Sequence, residues 1–401
     1  MSRAWKRPLG SIALAGFVVF LGFAAAGCGS SGEDGGSSAT EIPGLGSSLD
    51  EIKQKAREEG EVDIVQWAGY AQLVDEFKQQ TGCTVKTKDG PTSDDMISLI
   101  TSGQYDGVSA SGNASVRLME RGDVAPVDTD LIPNYADVQE GIKNQPYNSK
   151  DDQPYGVPHG RGPNLLGFNS DAVTPEPTTW DPVWEGGSKY EGKISVYDSS
   201  IYIADAALHL MTKRPELGIK DPYQLNEEQF NEAIKLLEAQ KANGATYWAG
   251  VTDQVAAFTS GDAAVGTTWQ YQLNLLGEQS LPVKGILPDE GSTGWSDTWM
   301  LASKAKHPNC MLMWMDHMMS PEANGQATVW FGEAPTSPQA CDVAEALSAG
   351  HCELTHADDE AYYDKIWYWA TPQADCADDD AATTCKDQDD WVKAWTTLRG
   401  A

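Results

Sequence analysis

Strand-like and helix-like segments alternate over residues 59–121, and this alternation constrains the fold more than any other feature of the chain. The predicted elements are a strand at 62–65, a helix at 70–80, a strand from 85, a helix at 94–100, a strand at 105–108 and a helix at 116–121. Such alternation is typical of a parallel α/β sheet, whose ligands bind beyond the carboxyl ends of the strands. Trp67, Tyr70 and Ser111 are expected at that edge.

A lone carboxylate lies between two indoles in the segment 294–299, Gly-Trp-Ser-Asp-Thr-Trp, which carries no other charge. A carboxylate beside aromatic faces is suited to an organic cation, through ion pairing, hydrogen bonds and cation–π attraction. Asp297 and Trp295 are therefore candidate ligand contacts. The alternative is a structural strand in which the tryptophans are core and Asp297 caps a turn.

The N-terminus has the composition of an export signal. Three basic residues precede an uncharged apolar run that ends at Ala25-Ala26-Gly27-Cys28. A signal peptide of residues 1–27 is expected, because the run is too short for a stable membrane span. Cys28 after Ala-Ala-Gly resembles the lipobox of bacterial lipoproteins and is the expected lipidation site, although Leu usually stands where Ala25 does. Residues 28–48, rich in Gly and Ser, then form a tether with a reach of about 25 Å.

Acidic residues dominate the composition: 59 Asp and Glu face 28 Lys and Arg, a formal net charge of −31. This balance argues against nucleic acid and anionic lipid surfaces as partners. The negative charge does not by itself indicate a cationic ligand, because a solvated acidic surface is the commoner cause of such a charge. A body of roughly 350 residues is large for one core, so two lobes are expected.

Six cysteines follow Cys28, and an even number favours disulfides in an exported chain. The sequence separations predict the pairs Cys341–Cys352, Cys376–Cys385 and, over a long range, Cys83–Cys310. This is one of about fifteen connectivities that six cysteines allow. The nearby His351 and His356 leave zinc as an alternative, but no metal site and no cofactor are predicted.

Four motifs follow one another along the chain in a characteristic order. They are Trp-x-x-Tyr at 67–70, Tyr-Asp-Gly-Val-Ser-Ala-Ser at 105–111, Gly-Val-Pro at 156–158 and Gly-Pro-Asn-Leu-Leu-Gly-Phe-Asn at 162–169. Together they resemble the polyamine-type substrate-binding proteins of bacterial ABC importers, over residues 59–338. The tail, with Trp-Tyr-Trp at 367–369, is similar to a longer branch of that family.

The resemblance implies a two-lobed α/β fold of the type II periplasmic-binding-protein kind, with a ligand cleft between the lobes. Residues 49–163 and 298–401 would form the first lobe and residues 164–297 the second, with chain crossings near Pro163 and Asp297. The second lobe is expected to contain a strand at 192–198, helices at 203–213 and 226–242, and a strand at 261–266.

The family uses aromatic residues to sandwich the ligand's alkyl chain and an aspartate to pair with an ammonium. The matching residues here are Trp67, Tyr70, Trp269, Trp295 and Asp297. Further predicted contacts are Ser111, Ser199, Tyr202 and Gln272. By contrast, the predicted core residues are Trp299, Trp314, Trp330 and Phe331.

The chain departs from the family within the site. Ser199 and Tyr202 stand where well-studied polyamine binders carry carboxylates, and Gln272 stands where some members have Asp. Arg161 replaces an aromatic residue. In the cleft it would repel a second ammonium or accept a carboxylate, whereas the alternative is a salt bridge with an acidic neighbour. Asp297 is then the one well-supported counter-charge.

The expected function is capture of a small organic cation, most simply putrescine or spermidine, for delivery to an ABC permease and its ATPase. The expected protein is a monomer, anchored to the cell membrane by a lipid on Cys28 and facing the periplasm or cell-wall space. Alternative ligands are a zwitterion or another amine, such as γ-aminobutyrate, choline or thiamine. A neutral sugar is less favoured because it would not need Asp297.

An enzyme is the competing class, and no enzymatic activity is predicted. The chain has no Gly-x-Ser-x-Gly elbow, no phosphate-binding loop and no His-Glu-x-x-His motif. His159 and Asp198 are a conceivable acid–base pair, but a lone histidine beside a hinge is more often structural.

Overall fold

The computed structural model describes residues 42–67, 70–185, 189–376 and 384–400, which form an α/β fold around two main sheets. The predicted signal peptide, Cys28 and most of the tether lie outside the described residues. No helix in the described ranges combines the length and the apolar character that crossing a bilayer requires.

The first part of the chain alternates helices and strands, as predicted. Its elements are α1 (Leu49–Glu59), β1 (Glu61–Gln66), α2 (Val74–Thr81), β2 (Thr84–Asp89), α3 (Ser93–Thr101), β3 (Gly107–Ala110), α4 (Gly112–Arg121), β4 (Ser149–Lys150), β5 (Gln153–Pro154) and β6 (Gly156–Pro163). Local chemistry sets the bounds of α1: the Ser48 side chain accepts a hydrogen bond from the Glu51 backbone N–H, and Gly60 ends the helix at φ 70°.

The middle of the chain builds a second set of strands and helices. Its elements are β7 (Leu165–Asn169), α5 (Asp181–Trp184), β8 (Ile194–Tyr197), α6 (Ile203–Lys213), α7 (Glu227–Ala242), β9 (Thr246–Trp248), α8 (Val251–Ser260), β10 (Val265–Thr268), α9 (Gln270–Glu278) and β11 (Val283–Ile286). The last part contains β12 (Ser292–Leu301), α10 (Pro308–Met319), α11 (Pro321–Phe331), α12 (Pro338–Leu347), α13 (His351–Leu354), α14 (Glu360–Tyr363), β13 (Ile366–Tyr368) and α15 (Gln388–Gly400).

The first main sheet has the strand order β13–β12–β3–β1–β2, and β6 also pairs with β12. β1 is parallel to β2 and β3, whereas β12 is antiparallel to β3 and β6. α1 and α10 cover one face of this sheet, and α3 and α4 cover the other. Since both faces are covered, every residue of β12 is buried. Trp299 and Trp314 are fully buried, as predicted.

The second main sheet has the order β11–β7–β10–β8–β9. β8 is parallel to β9 and β10, and β7 is antiparallel to β10 and β11. Its core combines side chains from α6 and α7 with strand residues such as Phe168 and Val196. Two sheets with separate cores confirm the predicted two-lobed α/β fold.

The chain leaves the first sheet between β6 and β7, at Pro163 and Asn164. The return differs from the expected crossing at Asp297. β12 is hydrogen-bonded to first-sheet strands from Ser292 onwards, so the crossing precedes β12 and lies within residues 287–291.

α15 also differs from the expected division of the chain, which places residues 298–401 in the first lobe. Trp391, Trp395 and Leu398 belong to the core of the second lobe, and the Trp391 ring lies 6.0 Å from that of Phe230 in α7. The apolar face of α15 needs a partner surface, and α7 provides it.

Three disulfides join Cys83 to Cys310, Cys341 to Cys352 and Cys376 to Cys385. This is the predicted connectivity. The long-range bridge links the residue before β2 to α10, so it ties the beginning of the first lobe to the segment that returns to it.

The Cys83–Cys310 bridge is expected to stabilise the fold more than a local bridge does. It closes a loop of 227 residues, for which the chain-entropy relation gives about 5 kcal/mol, against about 3 kcal/mol for the loop of 11 residues at Cys341–Cys352. The double substitution Cys83→Ser with Cys310→Ser should lower the Tm more than Cys341→Ser with Cys352→Ser. Thermal unfolding of both variants tests this. Equal losses, or free thiols found by mass spectrometry of the unreduced parent, contradict it.

Candidate functional site

A cavity of about 340 Å³ lies between the facing edges of the two sheets. The first lobe contributes Trp67, Asp89, Gly90, Pro91, Ser111, Trp295 and Asp297, which end or follow β1, β2 and β3 or lie within β12. The second lobe contributes residues 249–252, Trp269, Tyr271 and Leu275. Phe331 comes from the end of α11 in the first lobe, and the tail adds Trp369. The volume suits a small molecule, and the position at the carboxyl ends of parallel strands is the usual one.

Asp297 is a buried carboxylate of this cavity. The residue is 6% exposed, and Oδ1 accepts a hydrogen bond from Ser111 Oγ. The register of β6 against β12 shifts here, since Asp297 pairs with Gly160 and Thr298 pairs with Pro158. His159 is therefore the extra residue of a bulge, a feature that re-aims side chains beside binding sites.

His159 lies directly behind Asp297 in a buried polar cluster. Its Nε2 is 4.0 Å from Asp297 Oδ2, and its Nδ1 is 3.2 Å from Glu333 Oε1. The Tyr70 hydroxyl lies 2.8 Å from Nε2, and Ser109 Oγ lies 3.1 Å from the same atom. His159 and Glu333 are each 1% exposed, so these groups face one another with little water between them.

Burial and the charges of neighbouring groups together set the pKa values of this cluster. It raises the pKa of Asp297, against the opposing effects of His159 and the Ser111 hydroxyl. Burial likewise raises the pKa of Glu333, while His159 opposes that shift. Burial alone would lower the pKa of His159, but Glu333 and Asp297 outweigh it and raise that pKa above its usual value. An imidazolium between two carboxylates leaves one net negative charge.

Indole rings form much of the apolar wall. Trp269 Nε1 donates to Asn164 Oδ1 at 2.7 Å, which fixes the orientation of that ring. Trp295 lies over Gly162, where an added Cβ would approach the ring atom Cζ2 to 2.8 Å. Only glycine at position 162 permits this position of the indole. Aromatic faces beside a carboxylate can hold a cation by charge and by cation–π attraction.

The structure brings five of the nine predicted contacts together in the cavity wall: Trp67, Ser111, Trp269, Trp295 and Asp297. The described wall does not include the other four: Tyr70, Ser199, Tyr202 and Gln272. Tyr70 lies behind the cavity wall, in contact with His159. Tyr202 is buried in the second lobe, where its hydroxyl accepts a hydrogen bond from Gln240 Nε2 at 3.0 Å. Ser199 and Gln272 likewise belong to the second lobe.

The wall also contains residues that are not among the predicted ligand contacts: Asp89, Tyr271, Phe331 and Trp369. Phe331 is predicted as core but contributes to the cavity. The prediction of Trp330 as core is wrong: the residue is 41% exposed near the end of α11, and its ring lies 6.0 Å from that of Tyr271. Asp89 carries a sequence signal, since it ends a strand of the alternating region and Trp67 directly follows another.

Arg161 does not line the described cavity. Its side chain is 3% exposed, and Nη2 lies 2.7 Å from Glu360 Oε1. The guanidinium carbon is 3.7 Å from the centre of the Tyr363 ring. The salt bridge with an acidic neighbour is therefore the arrangement found.

The pairs considered for other chemistries are not assembled. Asp198 is 3.1 Å from Trp395 Nε1 and 3.0 Å from Arg399 Nε, both of which donate to it, whereas His159 belongs to the cluster behind Asp297. The cysteines that would accompany His351 in a zinc site are joined in a disulfide. His351 itself places Nε2 3.0 Å from the backbone oxygen of Glu333.

Sequence comparison identifies relatives for most of the chain. Residues 72–351 match a family described as bacterial extracellular solute-binding protein. The putrescine/agmatine-binding protein of Pseudomonas aeruginosa is 23% identical over 273 residues, which cover 64% of this chain and 72% of that protein.

Solved structures share the architecture. A putative spermidine/putrescine ABC transporter from Listeria monocytogenes has a TM-score of 0.70 at 15% identity, covering 85% of this chain and 99% of that one. The spermidine/putrescine ABC transporter substrate-binding protein of Streptococcus pneumoniae has a TM-score of 0.65 at 17% identity, covering 84% and 97%. Identities this low establish the fold alone. Because the family match spans more than half of the sequence, the chain belongs to the bacterial extracellular solute-binding protein family.

Proposed function

We propose that this protein captures a small organic cation, most simply a polyamine such as putrescine or spermidine, and delivers it to an ABC permease and its ATPase. The observation that carries the proposal is the buried carboxylate of Asp297 in an aromatic cavity between two lobes. Support comes from the similar protein of Pseudomonas aeruginosa, which is named a putrescine/agmatine-binding protein.

Asp297 suits an ammonium group because its own chain leaves it incompletely paired. Ser111 donates to Oδ1, whereas Oδ2 is 4.0 Å from His159 Nε2, beyond hydrogen-bond distance. An ammonium near Oδ2 would add a charge-assisted hydrogen bond of about 1.5–3 kcal/mol. Its contact with an indole face would add about 0.5–2 kcal/mol.

The described wall favours a cation over a zwitterion. It contains two carboxylates, Asp89 and Asp297, and no Lys, Arg or His. A ligand carboxylate would therefore lack a counter-charge in the described part of the cavity. Because Arg161 is engaged with Glu360, it does not supply one.

Capture would proceed by closure of the lobes, since the wall takes residues from both. α11 of the first lobe meets α9 of the second at Gly332, where an added Cβ would lie 2.7 Å from Gln270 Cγ. Opening would separate this contact and release the ligand to the permease.

Export and anchoring belong to the same proposal. Removal of residues 1–27 and acylation of Cys28 would hold a monomeric mature protein at the outer face of the cell membrane. The Gly- and Ser-rich tether would let the lobes reach the transporter.

Asp297→Asn is expected to weaken binding of putrescine and of spermidine at least about tenfold, because the amide keeps the shape of the side chain but removes its charge. Isothermal titration calorimetry measures the effect. The matched control is Asp171→Asn, which removes an exposed carboxylate away from the described cavity wall. This variant should bind both ligands as the parent does. Parent-like affinity in Asp297→Asn would refute the proposed anchor.

Affinity for putrescine is expected to fall as the pH is lowered from about 8 to about 5. An ordinary aspartate has a pKa of about 3.9. Because the pKa of Asp297 is raised, its carboxylate takes up a proton at a higher pH than that of an ordinary aspartate. The raised pKa of His159 acts in the same direction, because the imidazolium present below that pKa opposes a nearby cation. Calorimetry at both pH values, with circular dichroism to verify folding, tests this. Tighter binding at the lower pH contradicts it.

A further inference from the structure

We propose that Asp89 is a second anionic contact of the cavity, which pairs with the second ammonium group of a diamine. The inference rests on the proposed capture of a cation at Asp297. Asp89 is the last residue of β2 and lines the same cavity as Asp297. These two are the carboxylates of the described cavity wall.

Four adjacent strands of the first sheet place the relevant groups in a row. The strand order β2–β1–β3–β12 follows from the pairing of β1 with β2 and β3, and of β3 with β12. Along this order the cavity wall carries, strand by strand, Asp89, Trp67, Ser111 and Asp297. An indole and a hydroxyl therefore separate the two carboxylates, and an alkyl chain between two ammonium groups would cross the indole.

The spacing of the strands sets the length of such a ligand. Three steps of about 4.8 Å separate β2 from β12. Asp89 is level with Trp299, which lies two residues of about 3.3 Å from Asp297, so the two aspartate backbones are about 16 Å apart. A four-carbon diamine extends about 6 Å between its nitrogens, given bonds of roughly 1.5 Å in a zigzag chain. An ion pair of about 2.8 Å at each end brings the span to about 12 Å. A diamine of this length, or a longer polyamine, reaches both side chains.

Asp89 is available for this contact because its own chain does not neutralise it. The side chain is exposed and forms no ion pair among the described residues. Its hydrogen bond from Gln66 Nε2 is long, at 3.5 Å. Asp94, a nearby acid in sequence, is engaged elsewhere, since it lies 2.6 Å from Arg117 Nη1.

The two carboxylates differ in their surroundings, and this predicts different roles. Asp297 is 6% exposed and would hold the first ammonium in a nearly dry site. Asp89 is at the exposed mouth, where water and salt screen its charge. Its contribution is therefore smaller, and it appears only with ligands that carry a second positive charge.

The test compares putrescine with n-butylamine, which has the same carbon chain but one ammonium, by titration calorimetry at low ionic strength. The parent is expected to prefer putrescine. Asp89→Asn should weaken putrescine about fivefold, the effect of a partly exposed ion pair, and leave n-butylamine within about twofold. Asp297→Asn should weaken both ligands. Asp89→Glu should keep the preference for putrescine. The control for net charge is Glu58→Gln, which removes an exposed carboxylate on α1.

Each outcome bears on the inference. Equal affinity of the parent for the two amines, together with no change in Asp89→Asn, overturns the second contact while leaving cation capture at Asp297 intact. Loss of the preference for putrescine in Asp89→Glu also overturns it, because that variant retains the charge. If the parent binds neither amine, the proposed function fails first and the role of Asp89 fails with it.

Discussion

Asp297 is held almost out of water on the strand that runs along the junction of the lobes, and the other features of the site depend on that constraint. A buried carboxylate is unfavourable unless hydrogen bonds or opposite charges compensate for lost hydration. Ser111 supplies a hydrogen bond, and the His159 ring lies 4.0 Å away. Because neither contact is a close ion pair, a cationic ligand would complete the pairing and stabilise the closed cavity.

Glu333 determines how much of the imidazole charge reaches Asp297. His159 Nδ1 lies 3.2 Å from Glu333, closer than Nε2 lies to Asp297, so the imidazolium primarily compensates Glu333. When His159 is protonated, the cluster retains one negative charge, which matches one ammonium. A second ammonium needs a second partner, and Asp89 is the carboxylate that the described wall offers at the mouth. Two carboxylates of unequal burial would distinguish ligands by the number of their positive charges.

Local patterns predicted much of the fold, because alternating periodicity and caps are local properties. Trp67 and Ser111 lie at the predicted edge of the sheet, since both follow parallel strands. Tyr70 occupies a similar position in sequence, yet its ring turns towards His159, because tertiary packing decides which way a loop side chain faces. His159 and Glu333 are 174 residues apart, so no local signal connects them. The sequence of α15 shows that one face must be buried but not which lobe covers it.

A crystal structure of the protein grown with putrescine tests the central claim most directly. An ammonium nitrogen is predicted within hydrogen-bond distance of the Asp297 carboxylate, at about 2.7–2.9 Å, with the carbon chain against the indoles of Trp67 and Trp269. Putrescine bound in the cavity with both nitrogens away from Asp297 would contradict the account, as would a complex in which Asp297 keeps only its contacts with Ser111 and His159.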